Sequence, residues 1–132
     1  MGHDNSVSPV GWYYGSYLLR FIELSDKDRN DLEKRFTSWE NTVIVEASSL
    51  ENAYVKVEKI GRAASKPYLA GPEGVHAQWE YLGITELLPI YEKPADGAEI
   101  AWTDRAPRKL RKLKSYVLSR SSIGKKLKPA GP

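Results

Sequence analysis

The sequence predicts an α+β fold, a small antiparallel sheet in ββαββ order with one packed helix, and three observations predict it. Residues 11–24 and 77–91 are long runs rich in aromatic and β-branched side chains, the composition that suits a pleated surface. Residues 42–47, Thr-Val-Ile-Val-Glu-Ala, form a shorter run of the same kind. Directly after it, Leu50, Ala53, Val57, Ile60 and Ala64 recur at helical intervals.

The first ten residues, closed by Ser8-Pro9, read as a flexible leader. In the first strand, period-2 alternation puts Tyr13, Gly15, Tyr17, Leu19 and Phe21 on one face. Trp12, Tyr14, Ser16, Leu18, Arg20 and Ile22 take the other, so both faces are largely apolar. Gly15 marks a bulge or a close backbone approach. The polar stretch 25–35 fits either a short exposed helix or a long hairpin loop. Ser48 and Glu51 have capping-box spacing for a helix over about 50–62, with Gly61 as its end or a kink. Turn residues fill 66–74. In the long strand 77–91 the apolar phase changes past Gly83, which predicts a bulge there. Asp96-Gly97 signals a turn, and 98–102 reads as a short fourth strand.

Charge is divided unevenly along the chain. Residues 105–132 hold ten Lys or Arg and no acid, whereas residues 1–104 hold all seventeen acids and the other ten bases. An acidic body of net −7 and a cationic end of net +10 lie behind the overall +3. Such a segment attracts anionic surfaces over roughly 8 Å at physiological salt. Pro107 fits the first turn of a basic amphipathic helix over 105–120, with Asp104 near its start and Leu110, Leu113 and Val117 as its stripe. Residues 121–132 read as disordered. Arg108, Lys109, Arg111, Lys112, Lys114, Arg120, Lys125, Lys126 and Lys128 are the candidate contacts to an anionic partner, with nucleic acid the leading type and an acidic protein surface the other.

A second candidate is aromatic. Trp12, Tyr14, Trp79 and Tyr81 form an aromatic sheet face that could stack bases. The competing reading, which composition favours, makes these rings the core of a domain with two Phe. Two-sided strands of this length also leave a homodimer open.

Catalytic and metal signatures are missing. Cysteine is absent, and the two histidines are His3 in the leader and His76, with no ligand spacing around either. Glu46, Glu80 and Glu86 read as a solvated face rather than an acid–base pair. No Gly-x-x-x-x-Gly-Lys-Ser/Thr or Gly-x-Ser-x-Gly pattern occurs. The expectation is a non-enzymatic binding module with no cofactor and no metal. The start of the chain lacks the pattern of a secretory signal, and no apolar run approaches the ~20 residues a bilayer demands. A cytoplasmic setting is therefore expected.

Three stretches carry a family resemblance: Trp12-Tyr-Tyr-Gly-Ser-Tyr-Leu18, Val45-Glu-Ala-Ser-Ser-Leu-Glu-Asn-Ala-Tyr54 with Ile60-Gly61, and Gln78-Trp-Glu-Tyr-Leu-Gly-Ile-Thr-Glu-Leu87 followed by Asp96-Gly-Ala-Glu99. Across roughly 11–102 the chain resembles the bacterial domain-of-unknown-function family 4288. The resemblance implies a small α+β domain without an assigned reaction. More weakly, it implies an immunity-type or regulatory protein–protein inhibitor acting through the acidic body or the aromatic sheet face. It implies no catalytic residues and nothing about the basic end.

Overall fold

The computed structural model describes residues 5–124. Lys125, Lys126 and Lys128, the rest of the expected disorder over 125–132, and residues 1–4 of the expected leader lie outside the described residues. The chain divides into two compact units, one running to Ala101 and one beginning at Trp102.

The first unit is α+β, with elements in the order ββαββ. Strand β1 (Trp12–Glu23) pairs with β2 (Ser38–Glu46) on one side and β4 (Val75–Ile90) on the other, all antiparallel. β3 (Tyr68–Ala70) joins the outer edge of β4, giving the order β2-β1-β4-β3, and α1 (Leu50–Ala63) packs on the sheet. The short strand is thus not the expected one. Residues 98–102 have strand-like alternation but no strand partner among the described residues. Residues 68–70, expected as loop, pair with Val75–Ala77 across a turn in which Gly71 and Gly74 take positive φ. Backbone pairing, rather than side-chain alternation, decided between the two segments.

The alternation of β1 holds. Tyr13, Tyr17 and Leu19 form the core with Val45, Ala53 and Val57, and Val43, Leu50, Trp79, Tyr81, Ile84 and Leu87 pack around them. Full burial of a side chain the size of Leu19 or Val57 stabilises by about 1.5–3 kcal/mol. α1 meets this face through Ala53, Val57 and Gly61, spaced four apart. Gly61 is therefore neither an end nor a kink. It lies inside the helix, where the Tyr81 and Tyr17 rings approach so closely that no side chain fits. Gly15 is likewise a close approach, facing Val57 and Leu87.

Helix α1 starts one residue away from the expected cap. Ser49 is the N-cap, its Oγ accepting the Asn52 N–H at 3.1 Å, while Ser48 Oγ takes the Asn52 side-chain amide. In β4, register shifts leave Leu82 and Thr85 without partners on β1, so two bulges bracket Gly83 instead of one falling on it. The stretch 25–35 forms turns rather than a helix. Asp26 Oδ1 accepts the Asp28 N–H and Asp31 Oδ1 the Glu33 N–H, local bonds that compete with helical pairing. Part of the leader is anchored: Ser8, buried, donates to the Ile90 carbonyl at 2.6 Å and accepts from the Trp12 N–H at 3.1 Å.

Candidate functional site

The cationic segment belongs to the second unit. Its helix, α2, spans Leu110–Ser115, six residues in place of the expected 105–120. Lys109 is the N-cap and makes no side-chain capping bond, and no acid sits in the first turn. Pro107 and Asp104 lie outside the helix. The physical reason is local. Isolated helices under about 12 residues are marginal, and Lys109 and Arg111 at the positive end of the dipole oppose it. Lys112 and Lys114 in the last turn favour it. A 3₁₀ turn follows at Arg120–Ser122.

Every residue from Trp102 to Ser121 is exposed. Arg108, Lys109, Arg111, Lys112 and Ser115 line a shallow open concavity of about 590 Å³. Among the described residues, none of the bases from Arg105 to Arg120 forms an ion pair, and the three pairs that do form join Arg20 with Glu80, Lys34 with Asp26 and Arg62 with Glu58. The apolar stripe is exposed as well, with Leu110 at 66% and Val117, beyond the helix, at 75%. One feature went unread in the sequence. The Arg105 guanidinium lies 4.4 Å from the centre of the Tyr116 ring and the Lys112 ammonium 5.5 Å from it. An aromatic inside a basic run was the signal available, since such rings gather cations and stack on bases.

The four residues expected to share an aromatic face do not share one. Cross-strand register puts Trp79 opposite Phe21 and Tyr81 opposite Leu19, on the face covered by α1. Trp79 meets the rings of Phe21 and Trp39 edge-on, and Tyr81 contacts Tyr17. Trp12 and Tyr14 lie on the opposite face, beside Ile90 and Leu88. Alternation within each strand could not reveal this, because the β1–β4 register decides which face of β4 joins which face of β1. Tyr81 is enclosed between α1 and the sheet, with the Arg62 guanidinium 4.9 Å from its ring centre and its hydroxyl buried without a hydrogen-bond partner among the described residues. Burial raises its phenol above the ordinary value, Glu58 and Tyr54 add to the rise, and Arg62 opposes it.

The remaining titratable groups do not converge. Glu80 pairs with Arg20 at 2.8 Å, His76 lies exposed opposite Leu69, and Glu46 and Glu86 are exposed. No group of three or more His, Cys, Asp or Glu among the described residues could hold a metal. A hollow of about 450 Å³ beside Phe21, Ile22 and Phe36 is lined by Asp26 and Lys34, which are already paired. No helix among the described residues is long and apolar enough to cross a membrane.

No curated protein and no solved structure matches the chain. A family model described as Domain of unknown function (DUF4288) matches residues 12–102, from the first residue of β1 to the boundary between the two units. The exposed bases of Arg105 to Arg120 lie beyond that match. By its sheet-and-helix unit, the chain belongs to the DUF4288 family.

Proposed function

We propose that this protein is a non-enzymatic binding module of the cytoplasm whose cationic C-terminal segment engages nucleic acid. The observation that carries the reading is the exposure of Arg108, Lys109, Arg111, Lys112 and Lys114 without a carboxylate partner among the described residues. Cations left unpaired in a stretch without acids keep their full attraction for phosphate. The Arg105–Tyr116–Lys112 cluster supports it, adding a ring on which a base can stack at a worth of about 1–3 kcal/mol.

Fluorescence anisotropy with duplex DNA across a salt series tests the proposal. Five phosphate contacts give a slope of about −4.5 in log affinity against log salt, a loss of about 500-fold between 50 and 200 mM. Replacing the five bases with Gln in the full chain should flatten that slope and remove most of the binding, and ending the chain at residue 104 should do the same. Undiminished binding by either variant, or binding insensitive to salt, would refute the proposal.

A further inference from the structure

Among the helices and strands of the first unit, none packs on the sheet face turned away from α1, and of its apolar side chains only those at its two ends, Ile22 and Ile90, are buried. Trp12, Tyr14, Leu18, Ile44 and Leu88 place apolar surface there by cross-strand register, with Ile44 exposed and the others half-buried. Around them stand Glu40, Glu46 and Glu86, all exposed and none in an ion pair among the described residues. The one base in the register, Arg20, is already bound to Glu80. Stacking this face on its own copy would set carboxylates against carboxylates, which is destabilising. The chemistry it fits is an apolar stripe flanked by Lys and Arg.

We propose that the occupant is the 105–120 segment of a second copy of this chain. That segment carries exposed Leu110, Leu113 and Val117 among the bases that complement the acidic rim. Its dimensions suit the face. The row from Trp12 to Leu18 is about 20 Å long, α2 covers about 9 Å of it, and the flanking residues reach the rest. Reciprocal exchange between two copies closes the assembly as a dimer and covers both apolar faces. Nucleic acid and the sheet face then compete for the same bases, so phosphate binding would release the dimer.

Sedimentation of the full chain without nucleic acid tests this independently of the proposed function. The chain should pass from one chain's mass to two as concentration rises, and less readily at high salt. The charge reversals E46K/E86K and R111E/K112E should each weaken self-association by about tenfold or more. Mixed together, the two variants should associate with each other more tightly than either does with itself, because reversed face and reversed segment complement one another. Circular dichroism shows whether each variant keeps the native fold, and the mixing arm restores a contact that misfolded chains could not. A single chain's mass at every concentration, or a dimer indifferent to both reversals, would overturn the proposal.

Discussion

Gly61→Ala sets two effects of known size against each other. In a helix interior the change should help, since Ala is favoured over Gly by about 1 kcal/mol. Here the added Cβ would stand 2.5 Å from Tyr81 Cε1, 2.7 Å from Tyr81 Cδ1 and 3.1 Å from Tyr17 Cγ. Tyr17 is buried in the core and cannot retreat, and Tyr81 is held between α1 and the sheet. Overpacking of this kind costs about 1–3 kcal/mol, which exceeds the helical gain, so the net expectation is a loss of about 1–2 kcal/mol. Urea unfolding followed by far-ultraviolet circular dichroism would measure it as a lowered midpoint with unchanged slope. The decisive arm is a double-mutant cycle with Tyr81→Ala. Once the nearest ring is gone, Gly61→Ala should be neutral or stabilising by up to about 1 kcal/mol. An equal effect in both backgrounds, or a gain in the native one, would refute the packing argument.

Other perturbations follow from the same geometry. Gly15→Ala would put a Cβ 2.7 Å from Val57 Cγ2 and 3.1 Å from Leu87 Cδ1, and should cost about 1–3 kcal/mol by the same unfolding measurement. Ser49→Ala removes the N-cap of α1 and should cost about 1 kcal/mol, whereas Ser48→Ala, which loses one exposed side-chain bond, should change stability by about 0.5 kcal/mol or less. The hydrogen bond from Lys34, helped by the Asp28 N–H, holds Asp26 below the ordinary carboxylate range. Its stabilising contribution is therefore present above the unfolded value and is lost as pH falls through the depressed folded one. The same bond raises Lys34, whose contribution is present below the ordinary lysine value and is lost as pH rises through the raised one. An NMR titration of Asp26 should move upward in Lys34→Gln, and an unmoved titration would refute the pairing.

Local periodicity made much of the first unit legible. The 3.6 spacing of Leu50, Ala53 and Val57 located α1 almost to its ends, because helical hydrogen bonds close within four residues. The alternation of β1 named the face that meets α1, because the pleat sends Tyr13, Tyr17 and Leu19 to one side, although Ser16 on the other side is buried as well. The choice of Ser48 over Ser49 as cap went wrong because two adjacent serines offer the same chemistry, and only backbone direction separates them. The candidate site was legible as charge but not as shape. Ten bases without an acid are visible in composition, whereas the length of α2 depends on capping, on like-charge repulsion and on whatever packs against it.

By itself the sequence determined the class of the fold, the position of α1, the core face of β1 and the separation of an acidic body from a basic end, all properties of near neighbours along the chain. The tertiary structure decided which short segment joined β4, where β4 bulged, and that Trp79 and Tyr81 faced α1 while Trp12 and Tyr14 faced away. It also decided that Gly61 must be glycine, by bringing Tyr81 against it from twenty residues further along. Those outcomes are pairings between distant residues. Strand register and ring-to-backbone contact are set by what lies across the sheet, which no window along the chain contains.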